Sequence, residues 1–286
     1  MATELEIKLT LTEPAQQQAL NWLLSLPQAE KGHAKTLINR YYDTPEAALS
    51  QAGAALRVRQ AGDRYIQTLK TSGQFLNGAH NRQEWEWDLP GPERDLSLLE
   101  QTPLHNKVDL SDLQVVFETN FQRQEIILKE GDNEIEVAVD AGRILGGGRS
   151  RPLHEVELEL KAGDAGCLRQ QASKLAEQVP VFLNLVSKAE QGYFLAGLYR
   201  PEPGQGDHEL SVTEFLHRLS LGWLLEAPVR FPESALSQVD RAAAEAKVER
   251  LWQQLRQEMA SGRPVPELVR RLPRLGELQL ALAAVS

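Results

Sequence analysis

Several short runs of this chain place acidic and basic side chains at every second position. On a strand, residues i and i+2 share a face. ELEIKL therefore puts Glu4, Glu6 and Lys8 on one side and Leu5, Ile7 and Leu9 on the other. HEVELELK groups Glu155, Glu157, Glu159 and Lys161, EIEVAVD groups Glu134, Glu136 and Asp140, RQEWEW groups Arg82, Glu84 and Glu86, and ALRVR groups Arg57 and Arg59. One such face, taken alone, reads as the solvated side of a half-buried sheet. Together they read differently, because successive glutamates on one face repel each other unless a cation sits among them. Carboxylate clusters without His or Cys suit hard, oxygen-preferring cations such as Mg2+ or Mn2+. Arg and Lys suit phosphate oxygens, Arg by bidentate pairing and Lys as a point charge. Acidic and basic clusters sharing one cavity describe a metal–polyphosphate site.

Strands must position these groups. Alternating runs are expected near residues 3–11, 35–43, 54–60, 64–71, 81–88, 115–129, 133–140 and 153–161, with helices over 14–25 and roughly 164–178. The opposite faces carry Trp, Leu, Val and Ile, heavy enough to pack under helices. A sheet closed into a barrel with its charged faces inward satisfies both sides, provided the lumen is wet and holds compensating ions, since buried unpaired charge is prohibitive. After Arg200, PEPGQGD reads as a linker. Beyond it the period is helical: Ser211 and Glu214 form a capping box, residues 233–260 carry apolar groups at helical spacing, and shorter helices follow Pro264 and Pro273.

These residues resemble the CYTH, or triphosphate tunnel metalloenzyme, superfamily. Glu4-x-Glu6-x-Lys8 is similar to its ExExK signature. The likeness continues in order through Asn39 to Pro45, Leu56-Arg57-Val58-Arg59, Thr68-Leu69-Lys70-Thr71, Arg82-x-Glu84, Arg123, Asp140, the Glu155/Glu157/Glu159 run and Ser187-Lys188-Ala189-Glu190. The resemblance implies an α+β fold, an eight-stranded antiparallel β-barrel with flanking helices. It covers residues 1–200, followed by a linker at 201–210 and a small helical accessory region at 211–286. That region is too short for the CHAD domain that often follows such barrels. By resemblance, Lys8, Arg57, Arg59, Lys70, Arg82, Arg123 and Lys188 hold a triphosphate. Glu4, Glu6, Asp140, Glu155, Glu157 and Glu159 hold Mg2+ or Mn2+, and Glu4, Glu6 and Lys8 are catalytic. The implied activity is metal-dependent hydrolysis of inorganic tripolyphosphate. A class IV adenylate cyclase, a thiamine or nucleoside triphosphatase, and a non-hydrolytic polyphosphate-binding module stand as alternatives.

Composition agrees with this frame. The 286 residues are 42% hydrophobic and 25% charged, as in ordinary globular chains. The net charge of -9 repels nucleic acid and anionic lipid on average, so an anionic ligand needs locally gathered cations. The charged amino terminus reads against a secretory signal, no run reaches the ~18 apolar residues of a membrane span, and the single Cys167 forms no intrachain disulfide. A cytoplasmic protein without nucleic-acid or membrane partners is expected, with the helical tail a candidate homodimer contact. Gly146-Gly147-Gly148 lacks a following GK[ST] and reads as a hairpin. The six histidines show no metal-ligand spacing and are expected on the surface or satisfied in the core.

Overall fold

A computed structural model describes residues 2–76, 79–104, 107–202 and 208–285. Its main strands are β1 (Ala2–Thr10), β2 (Ala29–Asp43), β3 (Ala54–Ala61), β4 (Arg64–Thr71), β6 (Ala79–Leu89), β7 (Gln114–Glu130), β8 (Asn133–Gly146) and β9 (Arg149–Ala162), with β5 (Gln74–Leu76) and β10 (Phe182–Leu183) as short additions. The eight main strands are antiparallel in the order β1-β9-β8-β7-β2-β3-β4-β6, and pairing of β6 with β1 closes the ring. Closure removes the free edges that an open sheet would expose. Each of the eight alternating runs is one strand of this barrel. β2 begins earlier than expected because residues 29–34 do not alternate. They pair with the end of β7 across a bulge between Lys31 and Ala34, and their side chains are largely exposed. The glycine run is the β8–β9 hairpin, with Gly147 and Gly148 at φ 57° and 71°.

The apolar strand faces point outward and are covered. Ile7, Leu9, Val137, Val156 and Leu158 pack under α1 (Glu13–Ser25) and α3 (Ala165–Gln178). Leu56, Val58, Leu69 and Trp85 pack under the connection carrying Leu99, Leu104 and Leu113. The barrel interior is closed at one end by α4 (Lys188–Ala196). Leu37, Phe121, Ile144 and Leu153 meet Leu195 there, and Tyr41 and Phe117 meet Tyr193. The helix lies so close that a Cβ at Gly192 would sit 2.1 Å from the Phe117 ring. Buried Tyr193 donates to Asp43 at 2.8 Å, and Asp43 in turn accepts from the amides of Thr44, Leu49 and Ser50, fixing the turn into α2 (Ala48–Gln51).

The C-terminal segment folds as α5 (Val212–Leu224), α6 (Ser237–Glu245), α7 (Glu249–Ala260), α8 (Val265–Arg271) and α9 (Leu275–Ala284). The run 233–260, read from its period as one helical stretch, begins with a 3-10 turn and breaks between α6 and α7, where Lys247 adopts φ 58°. The break lets Trp252 fold back and donate to Asp240 at 2.6 Å while its ring meets Phe215 edge-on. Phe215, Leu219, Leu278 and Leu282 belong to the same apolar core as Ile7 and Leu9, so these helices and the barrel share one interior. Residues 203–207 of the expected linker, and His105, lie outside the described residues.

Candidate active site

Above the α4 plug the lumen holds a cavity of about 920 Å³. Strand parity turns the charged faces into it. Glu4, Glu6 and Lys8 enter from β1, Arg57 and Arg59 from β3, Lys70 from β4, Arg82 from β6, Arg123 from β7, Glu157 and Glu159 from β9, and Lys188 from the first turn of α4; all of them line the cavity. Register arranges them in rows: Glu6 pairs with Glu159, which pairs with Glu136 on β8. One step deeper Lys8 pairs with Glu157, and below that Glu155 pairs with Asp140, which pairs with Arg123.

In this state the two signs hold each other. Arg82 bonds Glu4 at 3.0 Å and Glu6 at 2.5 Å, and Lys70 bonds Glu4 at 3.0 Å. Burial alone would raise the Glu4 carboxyl, but Lys70 and Arg82 outweigh it and hold it below the ordinary range. At the floor Arg123 grips both oxygens of Asp140 at 2.7 Å and reaches Glu157 at 2.8 Å. Lys188 lies 2.6 Å from Glu155, 2.8 Å from Glu157 and 3.0 Å from Asp140. Against burial, Lys188 and Arg123 hold Glu157 well below the usual carboxylate range. Burial, with Glu157 beside it, pushes Glu155 up to about 7.

Among the described residues, Lys8 and Arg59 are short of partners. Lys8 is 1% exposed, its Nζ has no hydrogen-bond partner among the described residues, and Glu6 stands 3.7 Å away. Burial drives its pKa down. Arg59 donates to Asn39 at 2.8 Å and, among the described residues, has no carboxylate ion pair. Burial and the neighbouring Arg57 and Arg123 push it down to about 9. A polyanion reaching these two groups would gain charge-assisted bonds that the protein itself does not supply.

The acidic wall suits a hard cation. Among the described residues no three carboxylates or imidazoles converge into a ready-made metal cluster, because each glutamate leans on a lysine or arginine. The donors are oxygen-only, however, and the row Glu6–Glu159–Glu136 sets like charges directly opposite one another. Burial, with Glu4 and Glu136 near, pushes the Glu159 carboxyl up despite Lys161 at 2.7 Å. A divalent cation among Glu4, Glu136 and Glu159 would relieve that repulsion. The residues therefore fit a hard divalent cation.

Asp140 and Glu155 stand apart from the other expected ligands. They are 0% and 1% exposed and lie behind the cavity wall, on the floor held by Arg123 and Lys188. Glu84, Glu86, Glu136, Lys161 and Thr68 line the cavity without having been expected as site residues. His80 also lines it, against the expectation of a surface or satisfied core histidine. Its Nε2 is buried with no hydrogen-bond partner among the described residues, and burial and Lys8 hold the ring neutral. Its place two residues before Arg82 on β6 was the available signal.

The lumen is thus a closed antiparallel barrel, plugged at one end and lined by both signs of charge. The chain belongs to the CYTH domain family, whose model matches residues 2–193. It is 32% identical over 203 residues to an inorganic triphosphatase of Haemophilus influenzae; the match covers 68% of this chain and 55% of that protein, so the chain spans about half the length of this relative. A Hippeastrum protein, described as an adenylyl cyclase candidate with a dominant triphosphatase activity, shares the fold at a TM-score of 0.50 and 18% identity, over 69% of this chain and 98% of that one. No helix among the described residues is long and apolar enough to cross a membrane.

Proposed function

We propose that this protein is a metal-dependent inorganic triphosphatase that splits tripolyphosphate into pyrophosphate and phosphate inside the tunnel. The observation that carries the reading is the pairing of under-partnered cations, Lys8 and Arg59, with a facing row of repelling carboxylates, Glu6, Glu159 and Glu136. The likeness to the Haemophilus influenzae enzyme supports the same activity.

Binding is an exchange of partners. Lys70 and Arg82 release Glu4 and Glu6 and turn to phosphate oxygens, while the freed carboxylates join Glu159 and Glu136 as metal ligands. A Mg2+ or Mn2+ ion held by these carboxylates would supply neutralisation of phosphate charge and activation of water. Arg57, Arg59, Arg123 and Lys188 fix the chain of phosphates, and the barrel walls hold it in line for attack at a terminal phosphorus. Lys8 and the arginines stabilise charge on the equatorial oxygens and on the departing pyrophosphate. Asp140 and Glu155 serve from behind, orienting Arg123 and Lys188. A mere anion-binding module has no use for the carboxylate row.

Glu4→Gln and Glu6→Gln test the assignment. Each is expected to abolish metal-dependent phosphate release while circular dichroism stays that of the native fold. Full activity in either variant refutes the metal assignment.

A further inference from the structure

Between the barrel and α4 runs a short strap, residues 183–187, whose backbone bonds can be followed one by one. Leu183 and Phe182 pair with Leu9 and Thr10 of β1. The Asn184 amide donates to the Lys8 carbonyl at 3.1 Å, and its side chain donates to Thr10 at 3.0 Å. Val186 donates back to Asn184, and Ser187 caps α4 through a reciprocal box with Glu190. Three further hydrogen bonds come from the C-terminal helices. Gln279 on α9 accepts from the Leu183 amide at 2.9 Å and donates to the Leu183 carbonyl at 3.0 Å. Ser220 on α5 accepts from the Leu185 amide at 3.0 Å while donating to Leu216 at 2.9 Å.

Gln279 and Ser220 are both 0% exposed, surrounded by apolar side chains such as Phe182, Leu185, Leu216 and Leu278. Apolar contact alone would glue helices to strap, but it would not select one register of the backbone. A buried amide or hydroxyl is costly unless its partner is in place, so these two groups penalise any slip. A slip of one residue displaces the chain by about 3.3 Å, enough to withdraw the Lys188 ammonium from Glu155, Glu157 and Asp140.

We propose that the helices after the barrel are a positioning element of the tunnel: Ser220 and Gln279 pin strap 183–187 and thereby set Lys188 and the Lys8 backbone in the lumen. They touch no substrate and act through Lys188. The functional readout rests on the triphosphate reading of the lumen, so binding is measured rather than turnover.

The test is a double-mutant cycle on full-length protein, with the dissociation constant for tripolyphosphate read by calorimetry. Ser220→Ala and Gln279→Leu are each made with Lys188 intact and with Lys188→Met, which removes the charge and keeps the stem. With Lys188 intact each should weaken binding about five- to tenfold, and with Lys188→Met by less than about twofold. Equal effects in the two backgrounds, or none with Lys188 intact, overturn the inference. Hydrogen exchange gives a second arm that needs no change at Lys188: Ser220→Ala should speed exchange at 183–187 and leave β7 unchanged. Exchange as slow as in the parent protein overturns it. Tight binding by the parent without hydrolysis would sink the triphosphatase reading alone, whereas no binding at all would sink both.

Discussion

Arg59 gives the sharpest test of the lumen's electrostatics. Burial and two neighbouring arginines push its guanidinium well below the ordinary arginine range, to about 9. At about 1.4 kcal/mol per tenfold, that corresponds to a ceiling of about 5 kcal/mol against keeping the charge in the empty tunnel. Water and counter-ions in an open lumen screen much of it, leaving about 1–2 kcal/mol. The folded group binds its proton less tightly than the unfolded one, so the penalty is constant below about pH 9 and fades as pH rises above it. Arg59→Gln removes the charge and keeps an amide to donate to Asn39. The variant should therefore melt about 2–3 °C higher than the parent at pH 7.5 without anion. With tripolyphosphate the order should reverse, because one charge-assisted contact, worth about 1.5–3 kcal/mol, is gone. Differential scanning fluorimetry with and without tripolyphosphate reads both effects. A lower melting temperature in the anion-free variant, or an unchanged gain from tripolyphosphate, would show that Arg59 is not a cation waiting for phosphate.

Three further outcomes are expected. Glu159→Gln should raise the Mg2+ concentration for half-maximal activity at least about tenfold, whereas Glu155→Gln, behind the wall, should change it by less than about twofold; a metal titration of phosphate release decides. Tyr193→Phe leaves buried Asp43 short of a donor and should cost about 1–3 kcal/mol in urea denaturation, with the tripolyphosphate dissociation constant unchanged within about twofold. Gly192→Ala forces a methyl group into the Phe117 ring and should cost about 1–3 kcal/mol by the same method; a neutral result would mean the plug is loosely seated.

Most of the lumen was legible because sheets repeat every two residues and the charged runs kept that period without interruption. Parity alone places Glu4, Glu6, Lys8, Arg57, Arg59, Arg82, Glu157 and Glu159 inside. Parity carries no depth, however. Asp140 and Glu155 share a face with lumen residues, yet the α4 plug puts them on the floor, and α4 enters the barrel through contacts remote in sequence. Glu84 and Glu136 were on recognised faces but carried no sign to separate them from solvated neighbours, and His80 fell one residue outside the expected run 81–88, although β6 begins at Ala79. The break between α6 and α7 has no proline or glycine to announce it; Lys247 takes a left-handed conformation that only the Trp252–Asp240 and Phe215 contacts explain. The two-residue strand β10 is too short for any period, although it ties the C-terminal helices to β1.

The central claim is tested most directly by phosphate release from inorganic tripolyphosphate, with Mg2+, with Mn2+ and with chelator, beside parallel ATP and thiamine triphosphate reactions. Strong release from tripolyphosphate that vanishes with chelator, and little from the other two, is the predicted result. Turnover of ATP or thiamine triphosphate with tripolyphosphate untouched, or hydrolysis indifferent to chelator, would contradict it.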